Sequence, residues 1–295
     1  MKLFLNILGI ICILLLVFFV LVCIISFIEN RRLVISTFNI KDSHIPKSFN
    51  GFRIVQLTDM HNASFGKDNI RLINKVKEAA PDIILITGDM LVGHAGADVY
   101  FAADTMNALS DIAPVYFSMG NHELRISRYK DRYGDMWERF LNRLSPKINL
   151  LFDNSCQIFR DTEHINLYGV TLTPKLYTRF KSVSMPKKHL SKRFGKCNPN
   201  EYNIFMAHNP EYFEDYASWG ANLTFSGHVH GGIMRLPFLG GVISPKMELF
   251  PKYDKGIFEI SGKYMILSSG LGSHTIKFRI NNLPELVLVI LDKTE

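Results

Sequence analysis

Apolar residues fill the start of the chain without a break. From Leu3 to Phe27 only Asn6 and Ser26 are plainly polar, and none is charged. About 20 such residues cross a hydrocarbon core roughly 30 Å thick, so this stretch is long enough to span a bilayer with some tilt. Beyond it the pattern changes. Phe52–Leu57 reads as a buried strand, Asn69–Ala80 as an amphipathic helix with Ile70, Ile73 and Val76 inward, and Ile83–Thr87 as a second strand introduced by Pro81. Ala97–Leu109 reads as a helix, Val115–Ser118 as a third strand and Trp137–Leu144 as another helix. Helices then thin out, and the strand pattern recurs at Gln157–Phe159, Asn166–Val170, Ile204–Ala207, Leu223–Ser226, Ile257–Ile260, Tyr264–Ser268 and Leu286–Leu291. Alternation followed by strands predicts an α/β domain with a mixed sheet or two packed sheets.

No second stretch reaches spanning length, and neither a repeat nor a Ser/Gly/Pro linker divides the rest. The expected organisation is a transmembrane anchor over residues 1–31, a tether over 32–50 and one domain over 51–295. A cleaved signal peptide fits less well. Its apolar core should run only ~7–15 residues and end in small side chains, whereas Val20, Leu21 and Val22 before Cys23 are bulky. The anchor implies a single-pass protein of the cell membrane. Arg31, Arg32, Lys41 and Lys47 on its C-terminal side favour a cytoplasmic domain. A very short N-terminal tail before a long domain favours an extracytoplasmic one, so the side stays open.

Composition narrows the class. Of 295 residues, 47% are hydrophobic and 21% charged, which excludes a disordered chain. Four cysteines, two of them (Cys12 and Cys23) in the apolar N-terminus, exclude a disulfide-built scaffold and a zinc ribbon. The net charge of +7 suits anionic partners without choosing among nucleic acid, phospholipid and phosphorylated small molecules.

The candidate chemistry lies where the strands end. Thr58-Asp59-Met60-His61, Gly88-Asp89, Gly120-Asn121-His122-Glu123, Ala207-His208-Asn209-Pro210 and Ser226-Gly227-His228-Val229-His230 each follow an apolar strand. The C-terminal edge of an open α/β sheet is where ligand sites form. Carboxylate and imidazole without thiolate suit Mn, Fe, Zn or similar ions. In Asp59-x-His61 and His228-x-His230, residues two apart share one side of an extended segment. Seven or so ligands exceed the usual four of a structural zinc site and fit two ions about 3.5–4 Å apart with a shared carboxylate. Taken singly, an Asp after a strand is usually a turn or cap residue. Jointly the motifs hold five of the ten histidines. The others, His44, His94, His164, His189 and His274, read as surface or packing residues, with His94 nearest to a motif.

These motifs, in this order, resemble the signature of the calcineurin-like metallophosphoesterases across residues 59–230. The tail, with Gly231-Gly232, Arg235-Leu236-Pro237-Phe238, Gly270-Leu271-Gly272, Arg279 and Pro284-Glu285, resembles the bacterial membrane-associated branch of YkuE and YaeI type and extends the likeness over about residues 50–292. The resemblance implies a four-layer α/β/β/α sandwich around two mixed sheets, preceded here by the transmembrane helix. It implies an enzyme with two divalent metal ions. Asp59, His61 and His230 would hold one, Asn121, His208 and His228 the other, with Asp89 bridging. His122 would contact substrate oxygen and assist the leaving group as general acid. This chain departs from the branch at Thr171-Leu172-Thr173, where an acidic residue often stands.

Residues 164–200 carry eight Lys or Arg (Lys175, Arg179, Lys181, Lys187, Lys188, Lys192, Arg193 and Lys196) and no Asp or Glu. Such runs are usually solvated surface. Interleaved with Leu176, Tyr177, Phe180, Val183, Met185, Leu190 and Phe194, this one also suits a membrane surface. With the anchor, it points to a phosphorylated lipid or envelope precursor as substrate. Two rivals stay open: a nucleotide or nucleic-acid phosphodiesterase, against whose chromosomal form the tether argues, and a metal-dependent lipid-binding protein without turnover, which would not need His122.

Overall fold

The computed structural model describes residues 1–178, 183–232, 234–244, 248–273 and 278–295. Helix α1 (Lys2–Glu29) is followed by five strands of a first sheet: β1 (Val34–Asp42), β2 (Phe52–Leu57), β3 (Ile83–Thr87), β4 (Val115–Ser118) and β5 (Ile148–Leu150). Between them stand α2 (Ile70–Ala79), α3 (Tyr100–Ser110), α4 (Asn121–Arg128), α5 (Lys130–Tyr133) and α6 (Met136–Arg143). The second sheet takes β6 (Asn154–Arg160), β7 (Glu163–Val170), β8 (Asn203–Ala207) and β9 (Leu223–Ser226), with α7 (His189–Phe194) and α8 (Phe213–Trp219) in its connections. A short hairpin of β10 (Arg235–Leu236) and β11 (Gly240–Gly241) leads to β12 (Gly256–Ile260) and β13 (Lys263–Leu267). The last strand, β14 (Glu285–Lys293), returns to the first sheet.

The sheet orders are β1-β14-β2-β3-β4-β5 and β12-β13-β9-β8-β7-β6. Both are mixed. β14 runs antiparallel to β2, β6 to β7 and β12 to β13, while the remaining neighbours are parallel. The period of two builds the layers. In β2 and β3, Ile54, Ile83 and Leu85 face the space between the sheets, where Ile204, Met206 and Phe225 meet them. Val55, Leu57, Ile84 and Ile86 face the helices, against Leu72, Val76, Met106 and Phe140. On the far side, Phe205 and Ala207 of β8 pack with Leu190 and Tyr216. The result is the expected α/β/β/α order, with central strands such as β3, β8 and β9 fully buried on both faces and hence nearly continuous in hydrophobicity.

Three expectations change. Residues 34–42, taken for a tether, form β1, which pairs in parallel with β14 along its whole length. Ile40 within it, and Ile45 and Phe49 just after it, are fully buried. Only one face of β1 meets the core, so its pattern is too polar to announce a strand. Ile70 points outward while Leu72, Ile73, Val76 and Ala79 of α2 are buried, because the helical period places Ile70 away from the face those four share. The described apolar members of the basic segment face inward. Leu176, Met185 and Leu190 are core residues, and Tyr177, Val183 and Phe194 pack against them, while Lys187, Lys188, Lys192 and Lys196 are exposed. Arg193 pairs with Asp153 at 3.1 Å; Arg179, Phe180 and Lys181 lie outside the described residues.

A fragment beginning at residue 51 is expected to be markedly less stable than one beginning at residue 32. It lacks three fully buried side chains, each worth roughly 1.5–3 kcal/mol, and leaves β14 an open edge. Thermal melts of the two fragments, with aggregation followed by light scattering, measure the difference.

Candidate metal centre

The parallel strands β2, β3, β4, β8 and β9 point their C-terminal ends to one edge, and each of the five motifs begins there. Gln56 ties the two sheets at this edge, its amide donating to Thr87 Oγ1 and to the Ser226 carbonyl, each at 2.8 Å. The chain does not continue extended. Asp59, His61, Asp89, His228 and His230 all have positive φ, between 45° and 74°. The expectation of two residues on one side of an extended segment is therefore overturned. The motifs of Asp59 and His61, of Asp89, and of His228 and His230 turn through left-handed backbone that aims the side chains inward, whereas Asn121 and His122 open α4. Such conformations persist only where the surroundings over-determine them, and they concentrate at functional sites. Close approach demands glycine at two points: a Cβ on Gly120 would collide with the Asp89 carboxylate, and one on Gly227 with Asp59 and Thr58.

Each carboxylate has one oxygen fixed and one turned to the centre. Asp59 Oδ2 accepts from Thr58 Oγ1 (2.9 Å) and from the His228 backbone N–H (3.0 Å). Its Oδ1, fully buried and without a hydrogen-bond partner, lies 3.3 Å from His230 Nε2 and 3.8 Å from His208 Nε2. Asp89 Oδ1 accepts from the His122 N–H (2.8 Å). Its Oδ2 faces His208 Nε2 at 3.1 Å, His61 Nε2 at 3.8 Å and His122 Nε2 at 3.9 Å. Three groups thus lie at metal-ligating spacing: Asp59, His61 and His230; Asp89, His208 and His228; and His61, Asp89 and His122. Asn121, the first residue of α4, has a buried Oδ1 that also lacks a partner.

The histidines separate by what their other nitrogen does. His61, His208 and His230 turn Nδ1 to the carbonyls of Leu91 (3.3 Å), Thr87 (2.7 Å) and Gly272 (3.1 Å). A carbonyl only accepts, so Nδ1 carries the proton and Nε2 presents a lone pair to the centre, as a metal ligand must. His122 is the reverse: its Nδ1 accepts from the Gly93 N–H. The neutral ring then holds its proton on Nε2, facing the centre as a donor. That tautomer sets His122 apart from the ligand type although it belongs to one of the three groups.

Electrostatics describe a hole for positive charge. Burial opposes ionisation of Asp59, yet the imidazoles of His230 and His208 outweigh it and hold the carboxyl well below the usual range. Asp89 behaves likewise, with His208 and His122 overcoming burial. The two carboxylates reverse the effect of burial on His208 and push it up to about 10, whereas burial keeps His230 down at about 4. Buried carboxylates, inward lone pairs and orphaned oxygens together fit divalent cations.

Three residues around the site were named from the sequence without any role at the centre. Glu123 accepts from the backbone N–H groups of Asp89 (2.8 Å), Leu91 (3.0 Å) and Gly120 (3.0 Å), clasping the β3 and β4 turns together. Burial and then Asp89 push it up to about 7. Tyr177 has its ring 5.2 Å from that of His228. It stands beyond the end of β7, where the Thr171-Leu172-Thr173 departure falls, and nothing in a basic run marks it. Arg279 is buried; its Nη2 donates to the carbonyls of Ser269, Gly270 and Gly272 and its Nη1 to that of Asn282. Gly272 is the residue that orients His230. Arg279 N–H also donates to Ser26 Oγ of α1 at 2.9 Å. Of the remaining histidines, His94 is exposed with Nδ1 toward the Ala95 carbonyl, and His44, His164 and His189 pair near Asp42, Glu201 and Arg193. His274 lies outside the described residues.

Two mixed sheets whose strand ends gather buried Asp, His and Asn define a metal-dependent phosphoester hydrolase. The chain belongs to the calcineurin-like phosphoesterase family, whose model matches residues 52–232. It is 22% identical to the uncharacterized metallophosphoesterase YkuE of Bacillus subtilis, over 91% of this chain and 88% of that one. It is 25% identical to phosphodiesterase YaeI of Escherichia coli, over 81% and 82%. With the UDP-2,3-diacylglucosamine pyrophosphatase LpxG of Chlamydia muridarum it shares 24% identity over 84% and 87%.

Arg279→Ala removes four buried hydrogen bonds; the Gly270 and Gly272 carbonyls keep a donor in the Glu285 N–H and His230 Nδ1, while those of Ser269 and Asn282 lose theirs, at about 1–3 kcal/mol for each group left unsatisfied. The expected result is a lower Tm together with weaker Mn²⁺ binding by calorimetric titration, since His230 loses its fixed orientation. Unchanged Mn²⁺ affinity at a lowered Tm would confine Arg279 to stability.

Proposed function

We propose that this protein is a membrane-anchored, two-metal phosphoesterase that hydrolyses a phosphoester or pyrophosphate bond in a phosphorylated lipid or envelope precursor. The observation that carries the two-metal reading is Asp89, whose one oxygen is tied to the His122 backbone while the other faces both ligand sets. Asp59, His61 and His230 would hold one ion, and Asn121, His208 and His228 the other, with Asp89 shared. Manganese, iron and zinc all suit these donors. When bound, two such ions neutralise phosphate oxygens and acidify a water.

The chain's own residues supply the rest. His122, with its proton held on Nε2 by the Gly93 N–H, would donate toward the departing oxygen. Tyr177 would border the substrate beside His228. Glu123 keeps Asp89 and the α4 N-terminus in register. The substrate class draws support from α1, which is long and apolar enough to cross a membrane, and from the acylated pyrophosphate in one relative's name. The exposed lysines of residues 187–196 favour a second reading, a nucleotide or nucleic-acid phosphodiesterase.

His122→Ala is expected to keep its metals and lose roughly 10²-fold or more in rate on esters with poor leaving groups. The loss should shrink on a nitrophenyl ester, whose leaving group needs no proton; equal losses on both would assign His122 to substrate binding instead.

The substrate reading is tested with the full chain in detergent, loaded with Mn²⁺, against phosphorylated lipids, nucleotide-linked acyl sugars, free nucleotides and short oligonucleotides, with Asp89→Asn as background. Higher kcat/KM on the acylated compounds is expected. A preference for oligonucleotides would replace this reading with the second one, and metal binding without turnover on any compound would make the protein a binder.

A further inference from the structure

After α1, eleven large hydrophobic side chains are exposed among the described residues, and five of them fall within residues 236–250. Leu236, Phe238, Leu239, Leu249 and Phe250 have relative exposures of 39%, 107%, 62%, 65% and 53%. The others are scattered singly, which is ordinary. Exposed large apolar side chains gathered in this way mark an interaction site.

The segment is framed by hydrogen bonds. β10 and β11 pair antiparallel, Val242 N–H donates to Met234 O and Phe250 N–H to Val242 O, each at 2.9 Å, and Ile243 bridges Leu249. Asp254 holds the root, accepting from Gly241 N–H (2.8 Å) and pairing with Arg235 (2.9 Å). Phe238 and Phe250 both have positive φ, at 66° and 50°. A turn needing that conformation ordinarily takes Gly, Asn or Asp. Two phenylalanines held there, with their rings in solvent, point to a use for the rings.

The frame also identifies the occupant. Met234 bridges Ile280, and Arg235 N–H donates to Ile280 O at 3.0 Å. The neighbouring Arg279 N–H donates to Ser26 Oγ in the last turn of α1, and Asn282 N–H to Glu29 Oε2 at 3.4 Å. The hairpin and the end of the apolar helix are therefore attached to the same four residues, 279–282. Phe238 lies four residues beyond Met234, a reach of at most ~14 Å at about 3.4 Å per residue, comparable with the ~5–10 Å depth of interfacial insertion.

We propose that the β10–β11 hairpin, with Leu249 and Phe250 beside it, inserts its apolar tip into the lipid bilayer beside the point where α1 leaves it. This rests on the reading of α1 as a membrane anchor and deepens it. Asn282 Nδ2 donates to the carbonyls of His230 (2.7 Å) and Gly232 (2.6 Å), so the same stretch positions a candidate metal ligand. The centre is then held near the lipid–water boundary by two membrane contacts, and the substrate class it fits is a phosphoester whose phosphate lies at that boundary while its acyl chains stay in the bilayer.

The test uses the full chain reconstituted in phosphatidylcholine–phosphatidylglycerol vesicles, with and without acyl-brominated phosphatidylcholine. In Phe238→Trp the added emission should be blue-shifted and strongly quenched by bromine. Trp137 and Trp219, packed against Phe140 and Phe205, supply the unquenched background. Leu249→Trp should behave alike, and provides the reading if the first variant fails to fold. If the protein floats with the vesicles but the added indole emits as in water and ignores bromine, the hairpin is not inserted. A blue-shifted, unquenched signal that grows with protein density would assign the tip to a second copy of the chain and overturn the proposal. Failure to float would overturn the anchor reading instead.

Discussion

Two buried carboxylates must be held side by side with only one oxygen each left for the centre, and most of the architecture answers to that requirement. Asp59 and Asp89 repel each other in a low-dielectric setting, where an uncompensated charge costs several kcal/mol. Fixing one oxygen of each removes their freedom to turn away. Thr58 and the His228 backbone do this for Asp59, and the His122 backbone does it for Asp89. The remaining oxygens meet imidazole nitrogens within 4 Å. Repulsion that would drive an unconstrained pair apart is thereby turned into affinity for cations.

The geometry depends on backbone turns that a strand cannot make by itself. Five of the residues converging on the centre have left-handed φ, and glycines stand where a side chain would strike a carboxylate. Glu123 clasps two turns from different strands, and Gln56 joins the sheets behind them. The strain is tolerable because strands buried on both faces leave the turns no room to relax.

The terminal strand and the N-terminal helix belong to this framework more closely than their place in the chain suggests. β14 lies between β1 and β2 in the first sheet, and the segment leading into it carries Arg279 and Asn282. Those side chains bind the carbonyls that surround His230 on one side, while backbone N–H groups of the same segment meet α1 on the other. A helix long and apolar enough to cross a membrane is thus joined through a few buried hydrogen bonds to the residues that orient the centre.

Much of this could be read from the chain alone. Phe52–Leu57, Ile83–Thr87, Val115–Ser118 and Leu223–Ser226 have the observed bounds because a strand buried on both faces is an uninterrupted apolar run, ended by the first residue that must turn. The residues that gather at the edge, from Asp59 to His230, were legible for the same reason: each polar motif interrupts such a run. Half-exposed β1 and the short helices α7 and α8 gave no comparable signal, since one buried face or two turns of helix leave too few apolar positions to show a period. Which nitrogen of each histidine faces the centre, which carboxylate oxygen stays unengaged, and the roles of Glu123, Tyr177 and Arg279 were decided only by tertiary structure. Those properties belong to contacts between residues far apart in the chain, and local pattern records a residue's own burial, not the partner that burial brings to it.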